Sequence, residues 1–114
     1  MTTSEPGELL ARRLAELVSA HPAVSRLDAG PWNAVATWIP GRRLVGVRVP
    51  DEPAAPVEVA VVLGLDRPLP EVVRELRAAI ATLTPRPVDL TVADVDAPPQ
   101  RARPAATAAV EIGP

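Results

Sequence analysis

The sequence predicts a single α+β domain with the element order α-β-β-β-α-β, in which two helices pack on one small mixed sheet. Three observations predict this class. Two segments carry apolar residues with the 3.6-residue period of a helix, several Val-rich segments alternate with a period of two, and 114 residues allow one hydrophobic core. We expect the domain to span residues 5–96, and the Ala/Pro-rich residues 97–114 to form a disordered tail.

The first helix is predicted at roughly residues 5–20. Ser4 suits its N-cap, and Pro22 ends it because the residue before a proline avoids the helical conformation. One helical face carries large apolar residues at spacings of four, seven and eight, namely Leu10, Leu14, Leu17 and Val18. A weak extended stretch follows at residues 23–29, so an extra short strand after the first helix is left open.

A β-hairpin is predicted at residues 34–49, because two alternating segments flank Pro40 and Gly41, which suit the centre of a type II turn. In the first arm, one face should carry Val35, Thr37 and Ile39, and the other Ala34, Ala36 and Trp38. In the second arm, one face should carry Val45, Val47 and Val49, and the other Leu44, Gly46 and Arg48.

The second half of the chain predicts a strand, a helix and a strand in succession. A loop with three prolines, residues 50–56, precedes a β-branched run at residues 57–63, which we expect to be the central strand. Pro70 suits the first position of the second helix, and a last strand is predicted at residues 88–95. If the two strands are parallel, the helix forms a right-handed crossover.

The residues that usually carry catalysis or metal binding are scarce. The chain has no cysteine, and its only histidine, His21, lies at a helix end, where a capping or exposed residue is the simpler interpretation than a ligand or base. The paired acids Asp51 and Glu52, and Asp94 with Asp96, suit a solvated loop and a strand end better than acid/base catalysis. We therefore predict no enzyme activity, no catalytic residue, no metal and no cofactor.

Charge and hydropathy argue against a nucleic-acid interface and against a membrane span. The net charge of −2 disfavours a nucleic-acid interface built on a basic face. No apolar run approaches the length of a membrane span, and the N-terminus lacks a basic signal-peptide region, so we expect a cytoplasmic protein.

The candidate partner contact is Trp38 with Arg42 and Arg43, at the tip of the predicted hairpin. Tryptophan and arginine dominate the binding energy of many protein interfaces. Two alternatives stay open: Trp38 could fill a gap under a loop, and the arginines could belong to a solvated turn. If the hairpin is not the interface, the exposed side of the second helix around Arg74 and Arg77 is the next candidate.

The stretch from Leu17 to Val95, about 80 residues, resembles the alkaline shock protein family of Gram-positive envelope stress response proteins, in a short actinobacterial form. The motifs that carry the resemblance are Ala20-His-Pro-Ala-Val-Ser-Arg-Leu27, Val35-Ala-Thr-Trp-Ile-Pro-Gly-Arg-Arg-Leu-Val-Gly-Val-Arg-Val49, Val57-Glu-Val-Ala-Val-Val-Leu-Gly64 leading to Pro68-Leu-Pro-Glu-Val-Val73, and Pro87-Val-Asp-Leu-Thr-Val-Ala-Asp-Val95.

The resemblance implies a non-enzymatic adaptor or scaffold that acts in cell-envelope homeostasis. It also implies a cytoplasmic protein that a membrane-anchored family member can hold at the membrane, and it leaves a homo-oligomer open. The departures from longer members are Ala23-Val24, where those have Gly-Val, and the Ala/Pro tail after the last strand.

A KH-like RNA-binding module is the alternative function. Against it, Gly41-Arg-Arg-Leu44 ends in leucine, where the KH loop needs a second glycine, and the net charge is negative.

Overall fold

A four-stranded mixed sheet and a separate two-stranded hairpin form the β part of the molecule, and two helices complete it. The structure is a computed structural model that describes residues 5–30 and 34–97. The predicted α+β class is confirmed. In chain order the elements are α1 (Glu5–Ser19), β1 (Val24–Leu27), β2 (Ala36–Ile39), β3 (Arg42–Val45), β4 (Val47–Arg48), β5 (Val57–Gly64), α2 (Leu69–Ala81) and β6 (Val88–Asp96).

Strand β5 lies at the centre of the main sheet, as its β-branched composition predicts. Along one side it pairs in parallel with β6 over its full length. Along its other side it pairs antiparallel with β1 near its end and with β4 near its start. Since β5, α2 and β6 follow one another and the two strands are parallel, α2 is the crossover connection. The extra short strand after the first helix is confirmed as β1.

The core is aliphatic and lies between the helices and one face of β5. Val57, Val59, Val61 and Leu63 of β5 pack with Leu14 and Val18 of α1 and with Val72, Leu76 and Ile80 of α2. The opposite face of β5 carries Ala60 and Val62, which are also fully buried. Burial on both faces explains why the strand reads as a continuous apolar run from Val59 to Leu63 rather than as an alternation.

The predicted hairpin is confirmed for β2 and β3, but its second arm does not continue unbroken to residue 49. Gly46 adopts φ 91°, and beyond it β4 joins the main sheet instead of the hairpin. The alternation therefore changes phase at this glycine. Leu44 packs against the core, whereas Val45 is exposed, so the prediction that Val45 shares a face with Val47 and Val49 was wrong.

The predicted bounds of the first helix and the predicted start of the second agree with the structure to within one residue. α1 ends at Ser19, and α2 begins at Leu69 with Pro68 as its N-cap, which places Pro70 at the second rather than the first helical position. Neither helix of the described ranges is long and apolar enough to cross a membrane. The predicted N-cap Ser4 and the predicted disordered tail, apart from Ala97, lie outside the described residues.

Candidate functional site

One face of the β2–β3 hairpin points away from the core and carries the most exposed large apolar side chain among the described residues, Trp38. Its side chain is 57% exposed. The strand pairing fixes its neighbours, because Trp38 pairs with Arg43 and Ala36 pairs with Val45. Paired residues of antiparallel strands point to the same face. The hairpin turn is tight, with Ile39 paired to Arg42 and Gly41 at φ 84°.

Trp38 and Arg43 contact each other directly. The guanidinium carbon Cζ of Arg43 lies 5.7 Å from the centroid of the Trp38 ring, within the range of a cation–π interaction. Arg43 thus covers part of the ring. The pair presents an aromatic surface and a positive charge side by side.

A shallow groove of about 460 Å³ runs beside this pair and is lined by Ala34, Ala36, Trp38, Arg43 and Arg48. Arg48 belongs to β4, and its Nη1 donates a hydrogen bond to Oε2 of Glu58 on β5. The groove therefore extends from the hairpin to the edge of the main sheet. We call this surface, with Val45, the Trp38 face.

The structure brings together only two of the three predicted contact residues. Arg42 is exposed but pairs with Ile39, which is buried, so the strand alternation places Arg42 on the opposite side of the hairpin from Trp38. On the alternative surface, Arg74 of α2 is exposed, while Nη1 of Arg77 donates a hydrogen bond to the carbonyl oxygen of Val88 at 3.0 Å. Trp32 lies outside the described residues.

His21 joins the end of α1 to α2 through a small polar network. Its Nδ1 accepts a hydrogen bond from the backbone N–H of Ala23 at 3.0 Å, so Nε2 carries the proton and donates to Oε1 of Glu75 at 2.9 Å. Arg67 donates to both Glu75 and Glu71. Both ring nitrogens of His21 therefore make structural contacts, and its side chain is only 13% exposed. The prediction of an exposed residue, or of one that caps the last carbonyls of the helix, was wrong.

The same network perturbs two ionisation equilibria. Hydrogen bonds from Arg67, and secondly from His21, lower the pKa of Glu75 from 4.5 to about 2. In return, hydrogen bonds to Glu75 and Glu71 raise the pKa of the Arg67 guanidinium above its ordinary value. Both shifts favour the charged forms, which suits a structural ion-pair network better than a general acid or base.

Arg86 is a structural residue that sequence reasoning missed. Its Nε donates to the carbonyl oxygen of Ala55 at 3.0 Å, and its Nη2 donates to those of Pro50 at 2.9 Å and Glu52 at 2.8 Å. One side chain thereby holds the Pro-rich loop against the connection between α2 and β6. No local signal marks this role, because its partners lie more than 30 residues earlier in the chain.

Two of the carboxylates that the sequence analysis weighed for acid/base catalysis make local contacts. Asp96 receives a hydrogen bond from Arg26, and Asp94 accepts one from the backbone N–H of Val95. Within residues 5–30 and 34–97, no group of three or more His, Cys, Asp or Glu side chains could hold a metal ion.

Comparison with known proteins gives no relative by which to interpret these surfaces. No protein-family model, no curated protein and no solved structure matches this chain.

Proposed function

We propose that this chain is a non-enzymatic protein-binding adaptor or scaffold and that its Trp38 face is the contact surface. The observation that carries the proposal is the exposure of Trp38, which leaves 57% of a large aromatic side chain in water beside Arg43. A Trp–Arg pair on a stiff hairpin is typical of the side chains that dominate binding energy at interfaces.

The chemistry of the Trp38 face supports binding over catalysis. Its ionisable side chains are Arg43 and Arg48, and arginine stays protonated in proteins, so neither can accept a proton as a general base. Arginine instead forms charge-assisted, directional hydrogen bonds to carboxylates. The face is therefore suited to a protein partner that offers acidic side chains around an apolar contact.

The cellular setting of the proposal comes from the resemblance to alkaline shock proteins. We infer a cytoplasmic protein that acts in cell-envelope homeostasis and that a membrane-anchored partner can hold at the membrane. The motif from Val35 to Val49 that contributes to this resemblance includes the two strands that carry Trp38 and Arg43.

The test is crosslinking and affinity purification from the native cell, followed by affinity measurements with the captured partner. A Trp38→Ser, Arg43→Ser variant should stay folded by circular dichroism and bind that partner about thirtyfold more weakly, or about 2 kcal/mol. Arg42→Ser is the matched control, since Arg42 lies on the other side of the hairpin and its loss should change the affinity less than about threefold.

Three outcomes would contradict the proposal. If the double variant binds as tightly as the parent chain, the Trp38 face is not the interface. If an Arg74→Ser, Arg77→Ser variant loses binding instead, the interface is on α2. If nuclease treatment abolishes capture of the crosslinked material, the KH-like alternative is favoured.

A further inference from the structure

Helix α1 presents an apolar surface to solvent on the side that faces away from the core. Three of its residues are fully buried in the core, namely Ala11, Leu14 and Val18. A helix turns by about 100° per residue, so four other residues fall within an arc of about 100° on the outer side: Leu9, Arg13, Glu16 and Leu17. Of these, Leu9 is 51% exposed.

A shallow depression of about 320 Å³ lies towards the end of this outer side, lined by Arg13, Glu16, Leu17 and Leu83. Leu17 and Leu83 are half-buried, so the depression combines apolar side chains with one charge of each sign. Leu9 lies about 12 Å before Leu17 along the helix axis, at about 1.5 Å per residue. We call the surface formed by the four lining residues and Leu9 the α1 face.

The two charged side chains of the α1 face, Arg13 and Glu16, are both exposed. Among the described residues neither takes part in an ion pair or a side-chain hydrogen bond, whereas on the adjacent side of the helix Arg12 donates to Oε1 of Glu8 at 3.2 Å. A partner that matches both charges must offer an acid and a base at the same spacing. The α1 face of a second copy offers this pair.

An antiparallel second copy of α1 also matches the apolar residues. Arg13 is the midpoint between Leu9 and Leu17, so a two-fold axis beside Arg13 places Leu9 of each copy against Leu17 of the other. Along the helix axis, Arg13 of each copy is then about 4.5 Å from Glu16 of the other, within reach of an arginine side chain. Each Arg13 side chain turns away from the two-fold axis, towards the carboxylate of the other copy.

We propose that the α1 face is a two-fold symmetric dimer interface between two copies of this chain. Leu9 of each copy packs into the depression beside Leu17 and Leu83 of the other, and Arg13 of each copy pairs with Glu16 of the other. A symmetric contact of this kind is closed, so association stops at the dimer.

The inference goes beyond the proposed function, because no residue of the Trp38 face takes part in the dimer contact. The dimer carries two Trp38 faces. An adaptor with two binding surfaces can hold two partner molecules, or bind one two-site partner more tightly than a single copy does.

The first experiment is sedimentation velocity on the purified full chain from about 10 μM to about 1 mM, the range in which weak dimers become populated. The average mass should rise with concentration towards twice the mass of one chain and no further. A chain that stays monomeric to about 1 mM would overturn the inference, and so would a mass that passes two chains, because the contact would then be open.

A charge swap tests the two-fold geometry. Arg13→Glu sets acids against acids across the interface, and Glu16→Arg sets bases against bases, so each variant alone should dimerise at least about tenfold more weakly than the parent. Their equimolar mixture should form a mixed dimer, and the double variant Arg13→Glu, Glu16→Arg should dimerise like the parent, because both restore opposite charges. Arg74→Glu, at an exposed position of α2, is the control and should dimerise like the parent.

Leu9→Ser tests the apolar contact and should weaken dimerisation at least about tenfold, because less apolar area leaves water on association. Leu65→Ser is the matched control. Leu65 is also 51% exposed, but it follows β5 and does not belong to the α1 face, so its loss should leave dimerisation unchanged. Circular dichroism checks that every variant is folded.

Two further results would contradict the dimer. A double charge-swap variant that stays monomeric would show that the arginine and the glutamate do not face each other, and equal losses for Leu9→Ser and Leu65→Ser would show that the contact is not specific. The Trp38→Ser, Arg43→Ser variant separates the two proposals, since it should lose its cellular partner and still dimerise like the parent. If it loses dimerisation as well, the copies associate through the Trp38 face and the dimer inference fails.

Discussion

Gly46 is the residue at which the chain passes from the hairpin into the main sheet. Its backbone N–H donates to the carbonyl oxygen of Val35 at 2.8 Å, and its own carbonyl oxygen accepts from Ala60 at 2.9 Å. A Cβ added at this position would lie 2.5 Å from Cβ of Leu27 and 3.2 Å from the carbonyl oxygen of Ala60. Both the positive φ and the close packing therefore require glycine.

We predict that Gly46→Ala lowers the free energy of unfolding by roughly 2–5 kcal/mol, the sum of left-handed backbone strain and overpacking. Gly41→Ala is the matched control. Gly41 also has a positive φ, but a Cβ there meets no atom within 4 Å, so only the backbone cost of about 1–2 kcal/mol remains. Urea denaturation measures both. Equal losses for the two variants would show that the close approach at Gly46 does not constrain the fold.

Glu75 makes part of the stability depend on pH. Its folded pKa is about 2, below the ordinary value of 4.5, so the folded state binds the proton less readily than the unfolded chain. The stabilisation by the charged carboxylate is complete above pH 4.5 and is lost as the pH falls from 4.5 towards 2. Because Glu75 is exposed, solvent screens its ion pair and reduces the effect on stability. The effect is best detected by comparing parent and variant in the slope of melting temperature against pH.

We predict that Glu75→Gln flattens the decline of the melting temperature between pH 4.5 and 2, because the amide does not titrate. Arg67→Gln should flatten it as well, since Arg67 is the largest cause of the lowered pKa. Thermal melts across this range measure the slopes. Parallel curves for the parent and both variants would mean that the network does not couple folding to pH.

At the scale of the elements, the loop between β4 and β5 depends on a residue that belongs to another connection. Three carbonyl oxygens of this loop accept hydrogen bonds from Arg86. Prolines cannot donate a backbone hydrogen bond, so a Pro-rich loop has few ways to satisfy its own carbonyls. Arg86 supplies the missing donors from the turn after α2.

We predict that Arg86→Ala lowers the free energy of unfolding by about 2 kcal/mol and speeds proteolysis within residues 50–56. Arg77→Ala is the control, because Arg77 donates to a single exposed carbonyl oxygen, that of Val88, and its loss should cost less than about 1 kcal/mol. Denaturation and limited proteolysis measure the two effects. If the loop of the Arg86 variant is cut no faster than that of the parent, the loop does not depend on this side chain.

The elements were predictable where the pattern was local. The β-branched run of β5 and the helical spacing in α1 need no distant information, and the turn at Gly41 follows from residue preferences alone. At Gly46 the inward and outward positions of the strand exchange, and the local pattern did not predict this, because valines on both sides of the glycine continue the alternation. The cue was the glycine itself, since an isolated glycine in a strand often marks a bulge or a close backbone approach.

The candidate site was predictable only where it depends on the local alternation of a strand. Alternation in β2 placed Trp38 on the face opposite Val35, Thr37 and Ile39 but left open that it fills a gap under a loop. In the structure its side chain is exposed. Ile39 pairs with Arg42 across the tight turn, so Arg42 lies on the opposite side of the hairpin from Trp38 and Arg43. This placement follows from the strand register, which the spacing of the two arginines in the sequence does not reveal. The contacts of Arg67 and Arg86 depend on tertiary structure, and no sequence pattern indicates them.

At the scale of the whole molecule, stability depends on one aliphatic core centred on a single strand. Among the described residues that core contains no aromatic side chain, so it consists of many small contributions from Val, Leu, Ile and Ala. Val59 is fully buried at its centre, between Val47 of β4 and Leu90 of β6. A domain of this size has a net stability of about 5–15 kcal/mol, so one severe defect at this position is enough to unfold it.

We predict that Val59→Asp unfolds the domain, because an unpaired carboxylate buried against the helices costs several kcal/mol, and no basic side chain belongs to the surrounding core cluster. Val95→Asp makes the same substitution on the neighbouring strand β6 at a side chain that is 37% exposed, and it should cost less than about 1 kcal/mol. Far-UV circular dichroism and the dispersion of amide proton resonances distinguish the folded from the unfolded chain. A Val59→Asp protein that melts near the parent temperature would place this side chain on an accessible face, and the assignment of β5 as the doubly buried central strand would then be wrong.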